Sequence, residues 1–234
     1  MLQLAELMTR TNDIAAITFF LATSVICGHL SNIGPLRSRN IASYVQAHRI
    51  QWMQNMAVRD NRVIDTILLG GLSHGNAFFA STSVIAVGGL SALLGSGDKI
   101  QEILERLPLV DKAPKALWEA KILLMLAIFI FAFFKFAWAF RLSHYTAIMI
   151  GSTPLLGKGD DAACDAHAIR TARLIGFAAE HANAGLRSFY FAIAALAWFF
   201  HPYAFMFATT WVLVILIRRD FFSRSRRVLA GQQP

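Results

Sequence analysis

Charged residues are scarce in this sequence. Of its 234 residues, 15% are Asp, Glu, Lys or Arg, whereas about 25% are charged in an ordinary soluble domain. Hydrophobic residues make up 56%, with 19 Phe and 5 Trp, and the mean hydropathy is +0.50. This composition excludes a disordered chain. It also provides more apolar surface than one small soluble core can bury, which indicates segments that cross a lipid bilayer.

Cysteines and catalytic motifs are scarce as well. The two cysteines, Cys27 and Cys164, lie far apart in the sequence, which excludes a disulfide framework and a four-thiolate metal site. There is no Gly-rich phosphate loop, no G-x-S-x-G motif and no His-Glu-x-x-His motif. We therefore expect no enzyme, no catalytic residue, no metal and no cofactor. Haem bound between His29 and His144 stays open as an alternative.

Four long stretches are almost free of charge. Residues 14–36, 66–97 and 188–217 contain no charged residue, and residues 122–140 contain only Lys135. The stretch 188–217 would be about 45 Å long as one helix, which exceeds a hydrocarbon core of about 30 Å, and Pro202 can begin a new helix within it. We predict an all-α polytopic transmembrane helix bundle with five spans, or four with a kinked last helix as the alternative. The five spans are expected at about 14–34, 66–94, 120–142, 186–200 and 203–219.

The basic residues predict the orientation of these spans. The net charge of +8 comes from residues that flank the apolar stretches, so we expect no nucleic acid partner. With five spans and the N-terminus outside, fifteen Lys and Arg residues lie inside and six outside. We therefore predict a multi-pass protein of the inner (plasma) membrane with a cytoplasmic C-terminus. Amphipathic inner-side helices are expected at about 38–62 and 162–186, and an outer loop at about 96–118.

Two groups of polar residues are candidate binding sites. His74 and Lys135 fall at comparable depth in spans two and three, which predicts a polar pocket between them, although His74 could instead satisfy a carbonyl and Lys135 could extend to the interface. The second group lies where spans meet the inner boundary, and its excess of arginine suits a phosphate or carboxylate, unless it only forms a belt facing lipid phosphates. Its members are Arg59, Asp60, Arg62, Asp65, Arg141, His144, Asn183 and Arg187. We expect Asp65 to pair with Arg62, Arg141 or Arg187.

Several short runs resemble one membrane-protein family. They are 49–53 (RIQWM), 59–65 (RDNRVID), 78–81 (FFAS), 183–187 (NAGLR) and 189–191 (FYF). Together they resemble the uncharacterised membrane family called domain of unknown function 599 (DUF599), over roughly residues 14–222. The resemblance implies a bacterial or plant multi-span membrane protein and supplies no activity. It also directs attention to residues already selected by charge and depth, among them Asp65 and Arg187.

Two functional classes agree with these observations. The first is a small transporter, channel or ligand-binding protein for an anionic solute or an anionic lipid headgroup. The second is a non-catalytic accessory or assembly subunit of a membrane protein complex, with a homo-oligomer or another membrane protein as partner. The excess of buried ionisable groups favours the first class.

Single-cysteine labelling tests the predicted topology. In a background without Cys27 and Cys164, a membrane-impermeant thiol reagent added to intact cells should modify Glu105→Cys and leave Arg226→Cys unmodified until lysis. The expected difference follows from the excess of basic residues on the side of Arg226. Modification of both cysteines from the same side would contradict the topology.

Overall fold

The computed structural model describes residues 2–32, 40–95, 114–154 and 161–231, and these residues form helices without a strand. A single 3-10 turn, Ala197–Phe199, follows α5. The α-helices are α1 (Leu2–Asn32), α2 (Ile41–Ala57), α3 (Val63–Gly95), α4 (Lys115–Gly151), α5 (Asp161–Leu196), α6 (Pro202–Phe222) and α7 (Arg224–Leu229). The all-helical class predicted from the sequence is therefore confirmed.

Within the described ranges, three helices are long and apolar enough to cross a membrane. They are α1 over Thr11–His29, α3 over Val63–Gly95 and α4 over Lys115–Gly151. These helices indicate a membrane protein. Three of the five predicted spans thus have a matching helix. That α5 and α6 also cross the membrane stays a prediction.

The chain reverses direction between α5 and α6. His201 has extended backbone angles (φ −161°, ψ 144°), and Pro202 occupies the first turn of α6, where its missing N–H breaks no helical hydrogen bond. Arg187 of α5 and Asp220 of α6 line the same cavity, so α6 runs back alongside α5 to the height of Arg187. Pro202 therefore begins a new helix, as the sequence predicts, while the number of spans stays a prediction.

The longest helices, α3, α4 and α5, pack as antiparallel neighbours. Phe136 of α4 stacks on Phe79 of α3, with ring centroids 5.1 Å apart. On the other side of α4, a Cβ atom placed on Gly185 of α5 would lie 2.6 Å from the Phe136 ring. Glycine at this position is what allows α5 to approach Phe136 so closely.

Two hydrophobic cores hold the bundle. The larger joins α1, α3, α4, α5 and α6, and Phe20 of α1 lies within it against Phe191 and Phe205. The smaller core joins α2 to one end of the α3, α4 and α5 bundle. Its buried members are Met53, Met56, Ala57, Leu69, Ile150, Cys164, Ala168, Ala172 and Ile175.

Some helix boundaries differ from those expected. The amphipathic helix predicted at 38–62 is shorter, because Asn40 caps it by accepting a hydrogen bond from Ser43 N at 2.9 Å and the chain turns after Ala57. The segments predicted at 162–186 and 186–200 form one continuous helix up to Leu196. The predicted outer loop falls mainly outside the described residues.

Substitution of two glycines tests the close packing of α4 and α5. Gly185→Ala should lower the free energy of unfolding by about 1–3 kcal/mol, because Phe136 is buried and its ring has no room to move. Gly88→Ala is the control, since a Cβ there meets nothing within 4 Å, and it should be neutral or stabilising by up to about 1 kcal/mol. Unfolding in mixed detergent micelles measures both. Equal midpoints for the two variants would contradict the packing described here.

Candidate functional site

A cavity of about 690 Å³ opens between α2, α5 and α6. Charged, amide and apolar side chains share its wall. The residues that line it are Asn40, Ile41, Ala42, Ser43, Val45, Gln46, Arg49, Arg173, Gly176, Phe177, Ala179, Glu180, Asn183, Arg187, Arg219 and Asp220. Its volume lies within the range of about 300–1,000 Å³ typical of small-molecule sites.

One face of α5 supplies the largest part of this wall. Arg173, Glu180 and Arg187 are spaced seven residues apart, and Gly176 and Asn183 lie three residues after the first two. This spacing places all five residues on one side of the helix. The face is polar where a buried face would normally be apolar, and this is the sequence signal that could have identified the cavity.

The α2 wall is held against α5 by Gln46. Its side-chain amide donates to the carbonyl oxygen of Ala172 at 3.0 Å, and it lies where a Cβ on Gly176 would be. The Gln46 oxygen also accepts a hydrogen bond from Arg49 Nη1 at 3.3 Å. Burial lowers the pKa of Arg49, and the nearby carboxylate of Glu180 partly offsets this effect. Gln46 thus positions Arg49 at the cavity.

The α6 wall adds an ion pair. Arg219 Nε donates to Asp220 Oδ1 at 2.9 Å, and its guanidinium lies 5.8 Å from the centre of the Tyr190 ring. Asp220 is 8% exposed. Asp220 also attracts Arg187 of α5, so this one carboxylate is shared between two arginines.

Of the arginines that line the described cavity, Arg187 is the most buried. Its exposed fraction is 8%, and among the described residues it forms no hydrogen bond or salt bridge. Asp220 attracts it and Arg219 repels it. Four arginines and two carboxylates line the cavity, so its formal charge is positive. Arg187 was predicted as a site residue, whereas Arg49, Arg173 and Arg219 entered the sequence analysis only as basic residues that orient the spans.

The structure places the residues of the predicted inner-boundary cluster apart from one another. Arg62 donates hydrogen bonds to the carbonyl oxygens of Thr153 and Pro154, beyond the end of α4, and Cys164 Sγ donates to the same Pro154 oxygen at 3.4 Å. From Cys164 to Arg187, α5 rises about 35 Å. Arg62 therefore lies far from Arg187 and serves to satisfy the carbonyls at the end of α4.

Asp65 pairs with an arginine, but not with one of the three expected. The Asp65 side chain is fully buried, and its Oδ1 accepts from Arg59 Nη1 at 2.9 Å and from Trp52 Nε1 at 2.7 Å. Arg62, Arg141 and Arg187 were the predicted partners. The tight turn after α2 brings Arg59 and Trp52 next to the first turn of α3. Arg62 instead donates to the carbonyl oxygens just after α4. Asp60 is exposed on this turn.

The other predicted residues take separate positions. His74 is exposed on α3, whereas Lys135 is half-buried and lies 5.1 Å from the centre of the Phe131 ring. No hydrogen bond joins His74 to Lys135 in the described structure. Arg141 donates to the Tyr145 hydroxyl at 3.0 Å, and His144 is hydrogen-bonded to the preceding turn of α4. Of the predicted residues, Asn183 and Arg187 line the cavity.

A second buried polar cluster was missed by the sequence analysis. Trp198 Nε1 donates to Asp13 Oδ1 at 2.6 Å, and Lys121 Nζ donates to the Trp198 carbonyl oxygen at 2.8 Å. Asp13 and Lys121 are 6% and 3% exposed. They lie just before the charge-poor stretches 14–36 and 122–140, so only tertiary contacts reveal their burial.

The described residues thus form an all-helical structure with three helices apolar enough to cross a membrane and an arginine-lined cavity between α2, α5 and α6. The chain belongs to the family described as "Protein of unknown function, DUF599", which matches residues 14–225. The resemblance inferred from the sequence is thereby confirmed. No curated protein and no solved structure gave a significant match to the chain.

Neutralising Asp65 tests the buried pair. Asp65→Asn should lower the free energy of unfolding in detergent by about 1.5–3 kcal/mol, because two donors lose a charged acceptor. The loss is smaller than for a fully buried pair, since the Arg59 side chain is 44% exposed and can be solvated. Asp60→Asn, an exposed carboxylate in the same turn, should change stability by less than about 0.5 kcal/mol. Thermal unfolding compares the two, and equal losses would mean that the buried pair adds nothing.

Proposed function

We propose that this protein binds an anionic ligand, either a small solute or the headgroup of a lipid, in the cavity between α2, α5 and α6. The observation that carries this proposal is Arg187, a guanidinium that is 8% exposed and has no hydrogen-bond partner among the described residues. A buried cation without a partner is costly. An anion in the cavity would supply the missing charge and acceptors.

The ligand-binding class is favoured by the composition of the cavity wall. Arg219 is paired with Asp220, and the carboxylate of Glu180 attracts Arg49. Arg187 shares Asp220 with Arg219, and Arg173 has no assigned carboxylate, so positive charge is in excess. Guanidinium groups bind phosphate and carboxylate through paired hydrogen bonds. A wall made only for packing would be apolar, so we propose a transporter-like or ligand-binding role.

We further propose a five-span topology in the inner (plasma) membrane, with the N-terminus outside and the C-terminus cytoplasmic. The stretch 202–217 of α6 contains no charged residue and rises about 24 Å as a helix. It packs beside α1, where Phe205 contacts Phe20. The arginines after residue 217 lie at the end of α6 that lines the cavity. Because basic residues accumulate on the cytoplasmic side, we place this end of α6 and the cavity there.

An accessory role is the second candidate, and one feature of α3 favours it. Only 11% of the apolar stretch of α3 is buried in the structure, and Ile67, Phe78 and Ile85 are among its exposed large side chains. Such a surface suits lipid or another membrane helix. Under this alternative the protein would co-purify with a partner and show no response to anions.

Ligand-dependent thermal unfolding tests anion binding. Inorganic phosphate, succinate and phosphatidylglycerol are added separately to the protein purified in neutral detergent. At about 100 times its dissociation constant, a bound anion should raise the melting temperature by about 5–10 °C. Arg187→Gln should abolish this rise, because it removes the buried positive charge.

Arg218→Gln is the matched control. Arg218 is exposed, precedes Arg219 and does not line the cavity, so this variant should respond to anions as the wild type does. If no anion stabilises the wild type, or if Arg187→Gln responds equally, the cavity is not an anion site and the accessory role is preferred.

A further inference from the structure

We propose that the natural ligand of this cavity is a phosphate ester whose phosphoryl group lies between the N-terminus of α2 and Arg187. This inference rests on the proposed function and narrows it from anions in general to one chemical class. Two independent features carry it: a helix terminus that lines the cavity, and a buried guanidinium on the facing wall that has no hydrogen-bond partner among the described residues.

The first turn of α2 forms one end of the cavity. Asn40, Ile41, Ala42 and Ser43 all line it. In the first turn of an α-helix the N–H groups have no helical acceptor, and the helix dipole adds positive potential there. Ser43 N is satisfied by the Asn40 side chain, whereas no side chain among residues 40–95, 114–154 and 161–231 caps the N–H groups of Ile41 and Ala42. A helix N-terminus of this kind binds phosphate readily.

Arg187 supplies the second, independent feature. It belongs to α5 and is 8% exposed, and nothing in the described chain accepts its hydrogen bonds. Asn183 stands one turn before it, and Arg219 of α6 lines the same cavity. The donors thus come from α2, α5 and α6. A tetrahedral phosphoryl group accepts from several directions, whereas a carboxylate offers two oxygens in one plane.

The size and wall of the cavity indicate an ester instead of free phosphate. A volume of about 690 Å³ is many times that of one phosphoryl group and suits a larger organic molecule. Val45, Phe177 and Ala179 provide apolar surface beside the charged groups. The organic part of the ester could belong to a soluble metabolite or to a lipid headgroup, and both share the phosphoryl chemistry.

Removing one backbone N–H tests the α2 terminus directly. Ile41→Pro deletes the N–H of the first helical residue, and Asn40 before it has φ −82° and ψ 159°, which a following proline accepts. Ile41→Ala is the matched control, because it shortens the same side chain and keeps the N–H. Glycerol 3-phosphate should bind about tenfold more weakly to Ile41→Pro than to Ile41→Ala.

Four probes separate the possible ligands by their effect on the melting temperature and by titration. Glycerol 3-phosphate represents a soluble phosphate ester, phosphatidylglycerol nanodiscs a lipid, inorganic phosphate the bare group and succinate a carboxylate. Glycerol 3-phosphate should bind the wild type at least about tenfold more tightly than succinate, and Arg187→Gln should remove the difference. Stabilisation by phosphatidylglycerol alone, lost in Ile41→Pro and kept in Ile41→Ala, would support a lipid phosphate.

Three other outcomes overturn the inference, and they differ. If succinate binds as tightly as glycerol 3-phosphate and both depend on Arg187, the proposed anion binding stands while the phosphate-ester class falls. If Ile41→Pro and Ile41→Ala bind glycerol 3-phosphate equally, the α2 terminus takes no part. If none of the four probes acts on the wild type, the proposed function falls as well.

Discussion

A carboxylate buried in a helix bundle needs donors for its oxygens, because the surrounding apolar groups cannot replace water. This chain buries such groups at both ends of its long helices. At one end Asp13 accepts from the Trp198 indole, and at the other Asp65 accepts from the Trp52 indole and from Arg59. Each indole combines an apolar body that packs in a core with one N–H that meets the carboxylate. The two contacts fix α1 to the end of α5 and α2 to the start of α3, and the helices between them pack in the register that results.

The cavity follows from the way α2 meets α5. Below the cavity the two helices approach through small residues, Ala168, Ala172 and Gly176, and Gln46 ties them by a hydrogen bond to a backbone carbonyl. Beyond Gly176 the facing α5 residues become Glu180, Asn183 and Arg187, which cannot pack tightly against a helix terminus. The gap between the helices is therefore polar, and α6 closes its third side with the Arg219 and Asp220 pair.

Much of the helical framework was predictable from the sequence, and most of the site was not. Long charge-free stretches identified α1, α3 and α4 as candidate spans, and Pro202 marked the start of α6 because proline favours a first turn. The position of Arg59 beside Asp65 was not predictable, since it depends on how tightly the chain turns after α2. The separation of Arg62 from Arg187 was missed because it depends on the length of α5. This helix runs unbroken from Asp161 to Leu196; Arg62 lies near its start, and Arg187 lies near its other end. The seven-residue spacing of Arg173, Glu180 and Arg187 could have identified this face of α5. Nothing in the sequence indicates that α2 packs against it.

The cavity has one wall, α2, that is 17 residues long and lies against α5 along a single side. Its first turn and Arg187 of α5 line the same cavity, so an anion held between them, as proposed, would contact both walls at once. Under the proposed function, occupancy of the cavity and attachment of α2 would be energetically coupled, and the coupling would be reciprocal. A neighbouring protein or a change in the surrounding lipid that loosens α2 would then weaken anion binding by the same factor by which the bound anion resists the loosening.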